Sequence, residues 1–199
     1  MTKVTTACRS RFTPQREGAL YEAILGLLRD VGYDALTMDA VAARSHVSKA
    51  TLYRQWCGKA DLVVRALRFT QRHSSSDFDT GSLRGDLHAR VRSEEDHVRE
   101  EHSALMRALF TAVHANPDLA EAFQEQLIKP EVTDIHHVVR RAVDRGEVLA
   151  DNPAVAYVPH MFVGCLVARS LIDKQPPTQE FLLSYIDSVI LPALGVSAV

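Results

Sequence analysis

The sequence predicts an all-α protein, with three short helices in helix-turn-helix proportions near the N-terminus and a longer helical body behind them. Three observations carry this. Apolar residues recur at helical spacing nearly everywhere. Strand-like alternation is essentially absent. Proline, glycine and capping residues fall where such helices should start and stop.

Composition narrows the class. The chain has 199 residues, 46% hydrophobic and 24% charged, ordinary values for a globular protein. Cys8, Cys57 and Cys165 are odd in number and far apart. They form no disulfide framework or zinc spacing, which fits a reducing cytosol. The opening MTKVTTACRSRFTP has no apolar core of a signal peptide. No run of about 18 uncharged apolar residues appears; AVAYVPHMFVGCLVA comes nearest but holds Pro159 and His160. A cytoplasmic protein with no membrane association is expected. The net charge of −2 hides an asymmetry: residues 1–70 sum to about +5 and residues 71–199 to about −7. A basic head on an acidic body suits polyanion binding by the head, although chance alone produces an excess of this size.

The elements follow in order. Thr13-Pro14 opens the first helix as an N-cap with proline at the first helical position. Its stripe is Leu20, Ile24, Leu27, Leu28 and Val31, and Gly32 ends it. Thr37 caps a second, short helix, with Asp39 where the helix dipole favours an anion. Ser45-His46-Val47 breaks it, and Ser48 caps a third helix running to about Trp56. Cys57-Gly58 breaks again. A fourth helix begins near Lys59, with Leu62, Val63, Ala66, Leu67 and Phe69 inward. Residues 73–82, HSSSDFDTGS, read as a linker. Residues 83–102 read as one charged helix with a thin stripe of Leu83, Leu87, Val91 and Val98, followed by a richer segment at 103–115. Asn116-Pro117 starts a helix that bends near Pro130 and stops at Gly146. Asn152-Pro153 begins an apolar helix to about Ile172. A last helix runs from Thr178 to about Leu194, closed by Gly195.

The stretch SHVSKATLYRQW at 45–56 is oddly polar for a helical protein. Val47, Leu52 and Trp56 can anchor it, while Lys49, Ala50, Thr51, Tyr53, Arg54 and Gln55 offer donors and small contacts. That suits a helix in a major groove, where base edges need hydrogen-bond partners and the thymine methyl needs an apolar contact. Ser48 can cap and donate to a phosphate, and the Tyr53 hydroxyl suits a phosphate oxygen. Thr37 and Lys59 each start a helix, where free N–H groups and the positive dipole end attract anions. Arg9 and Arg11 precede the first helix on an arm able to reach a minor groove.

Residues 14–60 resemble the TetR family of transcriptional regulators. The resemblance lies in Gly32-Tyr33, Thr37, Val41-Ala42, Val47-Ser48, Thr51-Leu52-Tyr53, Trp56 and Lys59, within GYDALTMDAVAARSHVSKATLYRQW and the following CGKADL. Two positions depart from the pattern. His46 stands where the turn usually has glycine, and a positive φ there is tolerated by histidine better than by most residues; Trp56 replaces a usual phenylalanine. The resemblance implies a DNA-binding domain at 12–58, a connecting helix at 59–72, and a ligand-binding and dimerisation domain at 83–195. It implies a homodimer on palindromic double-stranded operator DNA, repression as the default, and release by a small-molecule effector. The last two helices should then form a four-helix bundle with the partner, through Phe162, Gly164, Leu166, Ala168, Phe181, Tyr185 and Val189. Gly164 and Ala168, four apart, allow close backbone approach.

The effector site is read from residues 103–165, where Met106, Phe110, His114, Phe123, Tyr157, His160, Met161 and Cys165 describe a largely apolar pocket with a few polar tips. The same residues also describe a helical core. No cofactor is expected. The nine histidines form no convergent pair of the kind metal ligation needs, and no hydrolase, nucleotide-binding or metalloprotease motif appears. Two other readings are a helical small-molecule-binding module without DNA function and an uncharacterised enzyme.

Overall fold

A computed structural model describes residues 12–70 and 77–197. They are helical, with no strand among them. The described residues form two compact units: 12–70 together with 107–127, and 77–106 together with 128–197. The two arginines of the expected N-terminal arm, Arg9 and Arg11, lie outside the described residues.

The first unit is built on α1 (Pro14–Ala35), α2 (Met38–Ser45), α3 (Lys49–Gln55) and α4 (Lys59–Thr70), with the second half of α6 (Asp96–Ala115) and α7 (Pro117–Phe123). Three of these helices start on side-chain caps read in the sequence: Thr13, Thr37 and Ser48 each accept the N–H three residues on. α1 packs on α2 and α4, α2 on α3, and α4 on α7. Leu20, Ile24, Leu28, Leu36, Leu52 and Leu62 are fully buried; each such side chain contributes about 1.5–3 kcal/mol of transfer free energy. Two expected core residues sit at the surface instead. Val31 is half-exposed because Gly32, at φ 73°, ends the regular helix one residue later. Phe69 is half-exposed and lays its ring on Tyr21, centroids 5.2 Å apart, with its edge against Gly18.

The second unit contains α5 (Leu83–Arg92), the first half of α6, α8 (Lys129–Asp144), a 3-10 turn (Pro153–Tyr157), α9 (Val158–Ile172), α10 (Gln179–Tyr185) and α11 (Leu191–Ala193). Its core joins Leu83, Leu87 and Val91 to Ile135, Val138, Val139, Cys165, Ile186 and Ile190. The single charged helix expected over 83–102 is broken at Ser93–Glu95. Arg99 causes the break: its buried guanidinium donates to the carbonyls of Val91 and Glu94, both at 2.7 Å. The Val91 carbonyl is one of those at the end of α5 that would otherwise lack partners. Buried Asp86, 1% exposed, accepts from the N–H and hydroxyl of Thr80 and lies 3.4 Å from both Arg141 and Arg145.

Two π-turns were not expected. Gln124–Ile128 precedes Pro130, and Ile186–Ile190 precedes Pro192. A proline lacks the N–H for its i−4 carbonyl and its ring clashes with that carbonyl. Widening the preceding turn relieves both. The first of these π-turns lies where a bend was expected, just before Pro130.

His46 ends α2 in the left-handed region, φ 54° and ψ 32°. The Val47 N–H reaches the Ala42 carbonyl at 3.2 Å, the six-to-one bond of a Schellman cap. Gly146 closes α8 with the same bond, from Glu147 to Ala142. Histidine thus occupies a position that glycine fills at no steric cost. His46→Gly is expected to stabilise the protein by about 1 kcal/mol. In a thermal melt this raises Tm by about 2–4 °C.

Asp187 takes two Arg84 N–H bonds at 2.9 Å and lies 2.9 Å from the buried His88 Nε2. Arg84, with the His88 ring, lowers its pKa from 3.8 to about 2. A carboxylate depressed in the fold stabilises above its unfolded pKa and loses that stability as pH falls through the folded value. Urea unfolding between about pH 5 and about pH 2 should therefore show a steeper loss in the wild type than in Asp187→Asn.

Candidate nucleic-acid interface

α3 is seven residues long, too short to hold its shape alone. Three side chains dock it. Leu52 is fully buried, Val47 is buried just before it, and Trp56 closes its end between Phe12 and Tyr21, with centroids at 5.7 and 6.2 Å. This leaves Lys49, Ala50, Tyr53 and Arg54 exposed, Tyr53 at 54%. Ala50 and Arg54, four apart, mark the centre of the outer face. Lys49 and Tyr53 form one flank and Thr51 the other. Gln55, read as a solvent-facing donor, is instead only 6% exposed, because one turn after Leu52 it falls on the packed side.

Several of the expected contacts already have partners. The Lys49 ammonium pairs with Asp39 of α2 at 2.8 Å, which raises its pKa. Thr37 Oγ1 accepts the Ala40 N–H at 3.1 Å, and Ser48 Oγ accepts that of Thr51 at 3.2 Å. The Ser48 and Thr51 hydroxyls share a bond at 2.8 Å. Lys59 Nζ donates to the Tyr33 carbonyl at 2.9 Å and sits 4.1 Å from the centroid of the Tyr33 ring. It thereby ties the start of α4 to the end of α1, a structural job that its place at a helix N-terminus did not announce. Asp61 is buried; it accepts the Cys57 N–H, pairs with Arg65 and takes a bond from Gln126 at 2.7 Å. These three contacts fix the turn between α3 and α4. Sequence reading also missed Arg44, which pairs with Asp30 at 3.1 Å and holds α2 to α1; charges fourteen residues apart give no local signal.

The expected effector residues divide between the units. Phe110, His114 and Phe123 fall in the first, where the Phe110 and His114 rings lie 4.7 Å apart and both residues are exposed. Met106, Tyr157, His160, Met161 and Cys165 fall in the second. There Tyr157 and His160 are exposed, with rings 6.1 Å apart, and Met161 is partly buried. Cys165 is part of the core, and burial pushes its thiol up to about 11.

The expected dimer residues are of two kinds. Phe162, Phe181 and Tyr185 pack against the core of the second unit, and Ala168 is partly buried. Gly164, Leu166 and Val189 are open, and nothing lies within 4 Å of a Cβ built on Gly164. Val163, Val167, Leu171 and Ile172 extend this open apolar face of α9. Among the described residues, 153–172 is the one helical stretch long and apolar enough by length and composition to cross a bilayer, and little of it is buried.

Comparison with known proteins places these features. Residues 20–66 match the profile described as bacterial regulatory proteins, tetR family, and residues 78–189 match the tetracyclin repressor-like C-terminal domain. An uncharacterised HTH-type transcriptional regulator of Mycobacterium tuberculosis is 39% identical over 90% of this chain and 88% of its own. The DNA-binding transcriptional repressor TetR of Mycobacteroides abscessus is 31% identical over 88% and 92%. A crystal structure of a TetR-family regulator from Rhodococcus superposes with a TM-score of 0.73 at 19% identity, covering 92% of this chain and all of that one. These relatives are regulators, not enzymes. With a helix-turn-helix head that presents α3 outward and a helical C-terminal domain, the chain belongs to the TetR family of bacterial transcriptional regulators.

Proposed function

We propose that this regulator is a cytoplasmic repressor that binds palindromic operator DNA as a homodimer and leaves it when a small, largely apolar effector binds the helical body at 83–195. The head at 12–58 reads the DNA, and the connecting segment at 59–72, of which Lys59–Thr70 is α4, leads on from it. The observation that carries the reading is the split character of α3: one side is buried by Leu52 and Gln55, while the other offers Ala50 and Arg54 flanked by Lys49 and Tyr53. Arg54 suits a guanine edge in the major groove and Ala50 a thymine methyl. Tyr53, Ser48, Thr37 and Lys59 suit phosphates, as do Arg9 and Arg11 on the preceding arm. Named repressors among the relatives support repression.

The open face of α9 supports the dimer. Val163, Leu166 and Val167 recur at helical spacing beside Gly164, and Val189 adds area from the π-turn before α11. An apolar surface of this kind is unfavourable in water and marks an interface. The effector reading rests on the family and, within the second unit, on Met106, Tyr157, His160 and Met161, which give apolar area with few polar tips.

Binding to the intergenic DNA upstream of its own gene, measured by fluorescence anisotropy, tests the DNA reading. Sequence-preferring, salt-dependent binding is expected, and Arg54→Ala should weaken it by about 1–3 kcal/mol while affecting random DNA less. Equal affinity for every sequence tried would defeat it. Sedimentation equilibrium tests the assembly: the wild type is expected as a dimer and Val163→Glu/Leu166→Glu as a folded monomer. A monomeric wild type at micromolar concentration would refute the dimer.

A further inference from the structure

A cleft of about 290 Å³ opens in the first unit along the Thr51 side of α3. It is lined by Phe12, Thr13 and Arg16 from the start of α1, by His46 and Val47 from the turn, and by Ser48, Thr51, Arg54 and Gln55. From this arrangement we infer that the cleft is a second phosphate seat, in which Arg16 of α1 and the Ser48–Thr51 hydroxyl pair hold a backbone phosphate of the DNA strand opposite the one met by Lys49 and Tyr53. The inference rests on the reading of α3 as the DNA-facing helix.

Size sets the geometry. A helix with its side chains is about 10–12 Å across, and the B-DNA major groove is about 12 Å wide. A helix with Ala50 and Arg54 at the groove floor therefore brings both its flanks against phosphate rows. The Lys49–Tyr53 flank serves one row. The other flank carries only Thr51 from α3 itself, and the cleft supplies what it lacks.

Chemistry sets the ligand. Arg16 is exposed, and its guanidinium lies 5.7 Å from the Phe12 ring centroid. It makes no ion pair with a carboxylate among the described residues. The ring positions the planar fork without neutralising it, and the fork matches phosphate geometry. Ser48 and Thr51 own two hydroxyl protons, and their mutual bond uses one. The other is free to donate. Among the described residues no carboxylate lines the cleft, so none of its lining repels an anion. Gln55 Oε1 is buried without a partner. As an acceptor it cannot hold a phosphate oxygen, but it can receive a guanidinium N–H or a water at the cleft floor.

Phosphate contacts do not depend on sequence, so a random 30-bp duplex serves as the probe. Arg16→Ala, Arg16→Lys and the wild type are compared by anisotropy over a salt series. Arg16→Ala should lower the slope of log K against log salt by about one unit per subunit, about two for the dimer, and Arg16→Lys should keep it. Within one half-site of a duplex that the wild type protects, ethylation interference should lose a phosphate on one strand with Arg16→Ala and on the other strand with Tyr53→Phe. A wild-type slope in Arg16→Ala, or loss on the same strand of a half-site in both variants, overturns the inference while leaving the DNA reading intact. Salt-independent binding or none by the wild type defeats the DNA reading itself. Arg16 is exposed, so Arg16→Ala should keep the wild-type helical circular dichroism.

Discussion

The burial of Leu52 is the constraint on which the head depends. Seven residues cannot sustain a helix in water, so α3 exists because one side chain is fully enclosed by its neighbours. Removing such a leucine costs about 2–5 kcal/mol, a large share of the stability of an ordinary domain. The outer face can be polar only because the inner face is this well docked. Trp56 and Val47 close the two ends, and the Asp61 contacts to Cys57, Arg65 and Gln126 hold the turn that follows.

Much of this was legible because capping is local. Thr13, Thr37, Ser48, Asn116, Asn152 and Thr178 each accept a backbone N–H within three residues, and their identity alone marks the helix starts. The left-handed backbone at His46 was readable for the same reason: the family pattern has glycine there, and the conformation outlasts the substitution. What could not be read depends on distant groups. The break before α6 is made by Arg99 reaching back to carbonyls five and eight residues away. The π-turns arise from how Pro130 and Pro192 fit helices that must continue. Gln55 looked like a DNA-facing donor because periodicity alone does not locate the edge of the packed side.

The site shows the same division. Residue types along α3 pointed to a groove-facing helix, and the structure exposes Lys49, Ala50, Tyr53 and Arg54 accordingly. Their engagement with the rest of the head was invisible. Lys59 carries the charge expected at a helix N-terminus, yet its hydrogen bond and its ring contact both go to Tyr33, twenty-six residues earlier. Apolar character marks the expected effector residues, and that character does not distinguish core from pocket; Cys165 is core.

The Lys49–Asp39 pair gives the outer face of α3 its own competing anion. On the proposed reading of that face, a phosphate that approaches Lys49 would have to displace a carboxylate whose negative charge would then remain beside the DNA. The exchange would return little energy on an arbitrary sequence, where no base contact adds to it. The pair would thereby shorten the dwell time on random DNA, and a regulator that lets go quickly of wrong sites inspects more of the chromosome in a given time.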